Sequence, residues 1–192
     1  MIFKKPKTFN LIDVLEGCIE ERGSAQKQLF EQYYGLVKKI CLRYSGSRDE
    51  VDEMINDGFI KVFNKIKLFD RNQSFDAWFR TVVIRTCIDY YRKNSSKVHF
   101  IDIQDAPYIE HNDYLIEKLA AEDILELVQK LPPSYRLVFS LYVVEGYAHA
   151  EIAELLNINE GTSRSYLAKA RMKLQEWVRL YLDESINQNN HV

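Results

Sequence analysis

Apolar residues recur at helical spacing through most of the first half of this chain. Leu29, Phe30, Tyr33, Tyr34, Val37, Ile40, Cys41 and Tyr44 fall on one stripe, which predicts a helix over residues 24–44. Ser47 and Glu50 then form a Ser-x-x-Glu capping box, in which hydroxyl and carboxylate satisfy the exposed amides of a new helix start. The helix that follows carries Val51, Met54, Ile55, Gly58, Phe59, Val62, Phe63 and Ile66 on one face. After the turn "DRNQS", a third long helix is predicted from about Ser74 to Lys93. With a shorter helix near residues 8–22, these segments can close one bundle. Seven glycines and four prolines are sparse for a β-rich chain, so the expected fold is all-α.

The periodicity is lost over residues 94–113, "NSSKVHFIDIQDAPYIEHND", where polar, acidic and single apolar residues mix. This segment reads as a flexible linker. Helices are expected to resume near Tyr114. "KLPPSYRLVFSLYVVEG" has a proline pair suited to a helix start and Gly146 at a helix end. The expected organisation is two small helical modules, 8–93 and 114–182, joined by the linker 94–113, with a frayed polar tail "NQNNHV".

A formal net charge of −2 argues against a uniformly basic nucleic-acid binder, but the charge is segregated. From Phe100 to Glu126 the acids Asp102, Asp105, Glu110, Asp113, Glu117, Glu122, Asp123 and Glu126 face Lys118 alone. From Gly161 to Gln175 the charges are Arg164, Lys169, Arg171 and Lys173, with no acid. From Ser74 to Lys97, Arg80, Arg85, Arg92, Lys93 and Lys97 outnumber Asp76 and Asp89. Two basic islands in an acidic chain are the footprint of a localised contact with a polyanion.

Other classes find little support. Cys18, Cys41 and Cys87 are scattered, without CxxC spacing, which argues against a disulfide framework or zinc site and fits a reducing cytosol. The four histidines are isolated, so no metal site is expected. No stretch approaches a membrane span and the start lacks a signal-peptide pattern, so a cytoplasmic protein without membrane insertion is expected. No His-Cys-carboxylate constellation or Gly-rich phosphate loop supports an enzyme, and neither a catalytic residue nor a cofactor is expected.

The second basic island lies in "AEIAELLNINEGTSRSYLAKARMKL", residues 150–174. Ile152, Ala153, Leu155 and Leu156 give a two-turn helix that Asn157 can end in a left-handed conformation. A second helix follows, with Asn159 as a cap. With Leu167 as reference, position 163, Ala170 and Leu174 share its apolar face. Thr162, Ser165, Lys169 and Met172 then point away, with Arg164, Tyr166, Arg171 and Lys173 along the edges. Such a helix can enter the major groove, its basic edges holding phosphates while Thr, Ser and Arg reach base edges. An ordinary helical hairpin with a solvated basic face fits the same pattern.

"LPPSYRLVFSLYVVEGYAHAEIAELLNINEGTSRSYLAKARMKL" resembles the promoter-binding C-terminal module of bacterial sigma factors of the extracytoplasmic-function type. The matching features are the Leu-Pro-Pro start, the "EIAELL" helix, the "EGT" turn and the "AKARMKL" end. The resemblance implies a helix-turn-helix that reads an upstream promoter element through Thr162, Arg164, Ser165, Tyr166, Lys169, Arg171 and Lys173. Three positions depart from the family pattern. Ser163 stands where an apolar residue is common, and Asn157 replaces a glycine. Ala148 replaces a capping serine, which weakens that helix start by about 1 kcal/mol.

"SFDAWFRTVVIRTCIDYYRK" resembles the same family's element that binds and opens the downstream promoter element. Aromatic side chains offer stacking platforms for unstacked bases and basic ones hold the displaced strand. The resemblance implies Trp78, Arg80, Arg85, Asp89, Arg92 and Lys93 there. Trp78 and Phe79 also read as bundle core, and Asp89 as a residue that orders neighbouring arginines. Arg85 stands where the family often has Asn. Upstream, "DEMINDGFIKVFNKI" resembles the family's docking helix for core RNA polymerase, with Asp52, Glu53, Asn56, Asp57 and Lys61 on its polar face. Asn56 and Asp57 are shorter than the family's Gln and carboxylate. The implied partners are core RNA polymerase, promoter DNA and an anti-sigma protein. A stand-alone helix-turn-helix regulator is the competing reading, and it leaves the 52–93 resemblance unexplained.

Overall fold

The computed structural model describes residues 9–94 and 121–189. All regular structure among them is helical: α1 (Leu11–Ile19), α2 (Gly23–Tyr44), α3 (Arg48–Lys65) followed by a 3-10 turn (Ile66–Leu68), and α4 (Phe75–Lys93). Then come α5 (Ala121–Lys130), α6 (Pro133–Phe139) running into one π turn (Ser140–Val144), α7 (His149–Leu156) and α8 (Glu160–Asn189). The all-α expectation holds. The linker expected over 94–113 and the helix start expected near Tyr114 lie outside the described residues, apart from Asn94 at the end of α4. α8 continues to Asn189, so part of the tail expected to fray is helical.

The chain divides into two compact units. The first takes Met1–Cys41 and Val51–Cys87; the second takes Leu42–Glu50 and Ile88–Val192. All three division points fall inside helices, since α2, α3 and α4 each pass from one unit to the other.

In the first unit most of the predicted stripes are buried, Leu29, Tyr33, Val37, Ile40 and Cys41 of α2 and Val51, Met54, Ile55, Phe59 and Val62 of α3. Phe30 and Phe63 are half-buried, and Tyr34, expected on the stripe, is exposed at its edge. Phe75, Phe79, Val82, Val83 and Cys87 of α4 complete this core. An aromatic chain joins the three helices, with ring centroids 4.5 Å apart for Phe30–Phe59, 4.6 Å for Tyr33–Phe79 and 5.9 Å for Phe59–Phe79. Tyr33 also donates its hydroxyl to Asp76 Oδ1 at 2.5 Å, and burial with this carboxylate neighbour raises its pKa. Gly17 lets α1 approach α2 closely, because a Cβ there would lie 2.5 Å from that of Ala25.

The second unit packs α5 and α6 on α8 through Leu127, Val128, Leu131, Ala170, Leu174 and Val178, with Ile124, Tyr135, Phe139 and Trp177 against them. The capping box predicted at Ser47 and Glu50 forms with a one-residue shift. Ser47 Oγ accepts from Glu50 N at 3.3 Å, while the Glu50 carboxylate accepts from Gly46 N at 2.7 Å.

Arg136 of α6 is 3% exposed and has no carboxylate partner among the described residues. It works through backbone carbonyls, which helix ends leave without intrahelical donors. Its Nε donates to Tyr44 O at 2.9 Å and its Nη1 to Gln129 O at 2.6 Å and Leu131 O at 3.4 Å, while Nη2 donates to Tyr91 Oη at 2.9 Å. The Tyr91 hydroxyl in turn donates to Tyr44 O. Gln129 Nε2 closes Leu42 O at 2.9 Å and Ser140 Oγ closes Arg43 O at 3.0 Å. The last three carbonyls of α2 thus receive donors from α5, α6 and the π turn. Gly46 leaves room for this arrangement, since a Cβ there would lie 3.0 Å from Arg136 Nη2.

Replacing Arg136 by Met removes these charge-assisted bonds and leaves buried carbonyls without donors. The expected cost is about 3 kcal/mol, from roughly 1–3 kcal/mol per unsatisfied buried group, read from urea denaturation.

Candidate nucleic-acid interface

Three helix faces carry the residues singled out from the sequence. On α3, Asp52, Glu53, Asn56 and Asp57 are exposed, Lys61 is half-buried, and the apolar stripe faces inward. Ile60, 56% exposed, shares this polar face, an apolar residue that the sequence reading passed over. Its signal was available, because 53, 56, 57, 60 and 64 lie on one helical line opposite the core stripe.

On α4, Arg85, Asp89, Arg92 and Lys93 are exposed, at spacings of four, seven and eight that keep them on one side of the helix. Arg80 is half-buried. Phe79 lies in the core, as expected. Trp78 is half-buried, with its ring 5.3 Å from Phe69 and 5.6 Å from Phe75, so it forms the outer edge of the aromatic core.

The helix-turn-helix is α7, a turn, and α8. Asn157 adopts φ 53°, ψ 51°, the left-handed end anticipated for α7. Without a hydroxyl at Ala148, the start of α7 keeps only half of a capping box, in which the Glu151 carboxylate accepts from Ala148 N at 2.7 Å. Gly146, at φ 78°, makes the left-handed turn before it.

The face expected to look outward on α8 is corrected by the structure. Thr162, Ser165 and Tyr166 are 4%, 4% and 1% exposed, not directed to solvent. The Tyr166 ring lies 5.3 Å from that of Tyr135, and small Thr and Ser side chains allow close packing around the start of the helix. Ser165 Oγ is buried without a hydrogen-bond partner among the described residues. Arg164 is exposed and pairs with Glu160 one turn earlier, an exposed pair of little energetic weight. Arg171 is half-buried, with its guanidinium 5.9 Å from the Tyr142 ring centre; Lys173 is 5.7 Å from that of Trp177. Lys169 and Lys173 line an open groove of about 550 Å³ with Tyr135, Met172, Arg179 and Leu180.

Ser163, which the sequence marks as a packing weakness, is fully buried and pairs with a residue the sequence reading left aside. Its Oγ lies 2.9 Å from Nδ1 of His149, and that ring stacks on Tyr142 with centroids 4.4 Å apart. Burial, then the charges of Arg164 and Arg171, lower the His149 pKa, while Glu160 acts in the opposite sense.

Among the described residues, no group of three or more His, Cys, Asp or Glu is placed to hold a metal ion. Nor is any helix there long and apolar enough to cross a membrane.

Residues 29–97 match the family model for sigma-70 region 2, and residues 121–174 match that for sigma-70 region 4, together more than half of the chain. The ECF RNA polymerase sigma factor SigW of Bacillus subtilis is 24% identical over 160 residues, covering 77% of this chain and 85% of that one. The RNA polymerase sigma factor YlaC of the same species is 24% identical over 156 residues, covering 78% and 90%. A similar solved structure is the sigma factor RpoE with the anti-sigma factor NepR from Bartonella quintana. It has a TM-score of 0.49 and 21% identity, with 80% of this chain and 96% of that chain covered.

The burial pattern separates packing from contact on α8. Tyr166→Ala is expected to cost about 3 kcal/mol of stability, the usual range for losing a buried aromatic ring. Arg164→Ala is expected to leave the urea midpoint unchanged. Denaturation curves of the two variants check both statements.

Proposed function

Because this chain belongs to the sigma-70 family, as a factor of the extracytoplasmic-function type, we propose that it directs core RNA polymerase to a subset of promoters and assists their opening. The observation that carries the proposal is the order of two matched regions on one chain, each bearing a basic helix face. In this reading the polar face of α3, with Asp52, Glu53, Asn56, Asp57 and Lys61, docks on core polymerase, and the exposed Ile60 adds an apolar contact. Arg85, Arg92 and Lys93 hold the downstream element. Trp78, edging the aromatic core, offers a stacking surface for an unpaired base. Arg80 and Asp89 orient their neighbours on the same helix.

On α8 the proposed contacts are Arg164, Lys169, Arg171 and Lys173, which meet phosphates and base edges at the upstream element. Thr162, Ser165 and Tyr166 then act by shaping the start of that helix. Two modules suit two DNA elements separated by more than one helical turn, over ~34 Å. Nucleotide addition stays with the polymerase. The family also implies an anti-sigma protein as a third partner. A stand-alone regulator would need only the second matched region, and the match over residues 29–97 is what counts against it.

The test is run-off transcription from a genomic promoter library with purified core polymerase, with and without this protein. Promoter-selective transcripts that require the protein are expected; none from any promoter would overturn the reading, and tight promoter binding without polymerase would favour the regulator. Arg164→Ala and Lys173→Ala should each reduce the slope of log affinity against log salt by about 1. The double change Asp52→Lys, Asp57→Lys should cut transcript yield at least about tenfold through misplaced charge at the docking face, with an unchanged melting curve.

A further inference from the structure

Resting on the initiation-factor reading, we propose that His149 is a DNA-phosphate contact of the helix-turn-helix, and that binding of the upstream element is coupled to uptake of one proton by its ring. Three independent geometric features converge on this residue. Its ring is fixed in orientation, stacked on Tyr142 at 4.4 Å and held by Ser163 Oγ at 2.9 Å from Nδ1. That leaves Nε2 as the ring nitrogen with no partner among the described residues. The ring also stands at the first turn of α7, the helix that crosses the DNA backbone in this motif. Finally, Arg171 lies over the same Tyr142 ring, and Arg164 shares the exposed edge, so two further cations border the position.

The partner at position 163 suits a residue that changes charge. A serine hydroxyl accepts from a protonated Nδ1–H and donates to a neutral Nδ1, so one side chain satisfies both ring states. An apolar residue would satisfy neither. The departure from the family at Ser163 thus has a physical counterpart in His149.

The sign of the coupling follows from the surrounding charges. In the free protein, burial and the charges of Arg164 and Arg171 on α8 disfavour the imidazolium, and Glu160 on α8 only partly offsets them. Tyr142 of the π turn presents its ring face to the imidazole, and Glu151 of α7 is engaged with the Ala148 amide. A phosphate arriving at Nε2 reverses the balance, because it attracts the ring proton and both guanidinium groups at once. The pKa of His149 is therefore below its ordinary value in the free protein and higher in the complex. Affinity for the upstream element rises as pH falls through that interval.

The experiment uses the full chain assembled with core polymerase and a labelled duplex carrying a promoter selected in the run-off assay, at constant ionic strength between pH 6 and pH 8. Wild type is expected to bind about fivefold more tightly at pH 6 than at pH 8, relative to the change shown by His149→Gln. Gln keeps a polar partner for Ser163 and carries no titrating group. His149→Lys, permanently charged, is expected to bind tightly with a flat profile. In parallel, the ring of His149, carried as the isotope-labelled histidine, is titrated by NMR in the free full chain and in its complex with core polymerase and the duplex, where its midpoint should rise. A selective complex whose pH profile is the same for wild type and His149→Gln, or a midpoint unmoved by DNA, overturns this inference alone. Failure to form any promoter-selective complex at either pH overturns the initiation-factor reading and this inference with it.

Discussion

The second unit is organised around a positive charge held by backbone carbonyls, with no acid against it among the described residues. Arg136 is buried among the carbonyl oxygens of Tyr44, Gln129 and Leu131 and the hydroxyl of Tyr91. These carbonyls belong to the ends of α2 and α5, where the helix dipole leaves partial negative charge. Two such ends directed at one guanidinium replace the carboxylate that a buried arginine usually needs. The planar fork matters as much as the charge, because its separate N–H groups reach separate acceptors. A lysine in the same place would offer one point of attachment. Around this centre, Gln129 and Ser140 close the two neighbouring carbonyls of α2. The start of α6 and its π turn are thereby tied to the segment just before α3.

Much of the fold was legible because long amphipathic helices advertise themselves. The stripes on α2, α3 and α4 repeat over many turns, so their buried residues and their ends were read to within a residue or two. The capping box at Ser47 and the left-handed Asn157 were readable from local chemistry alone. What failed was the width of the buried face at the start of α8: Ser163, Leu167, Ala170 and Leu174 are buried as expected, but so are Thr162, Ser165 and Tyr166. The segment "GTSRSY" holds small polar residues whose burial depends on the helices crossing there, and Tyr166 is claimed by Tyr135, 31 residues earlier. Arg136 was illegible for a related reason. In a sequence an arginine reads as solvated, and only tertiary structure brings two helix ends to it. His149 passed as an isolated histidine because its partners, Tyr142 and Ser163, lie seven residues before it and fourteen after.

The charge distribution shows why a chain of net charge −2 can be read as a DNA-binding protein. At physiological salt, interactions beyond about 8 Å are largely screened. An approaching phosphate therefore responds to the nearest few side chains and not to the sum over the molecule. The exposed sides of α4 and α8 each supply such a local cluster, while α3 presents mainly acids and amides. Segregation by helix lets one small chain offer surfaces of opposite character to different partners.

α8 is 30 residues long, so it forms a rod of about 45 Å at 1.5 Å per residue. Its first turns carry Arg164 and the buried start of the helix-turn-helix, and its later turns carry Trp177 and Val178 in the packed core beside α5. The end proposed to contact DNA and the anchoring end are thus parts of one continuous helix. A fluorophore or spin label at exposed Arg179 would therefore rotate with the start of the helix, so that under the proposed function it would report the tilt of that end when DNA is added.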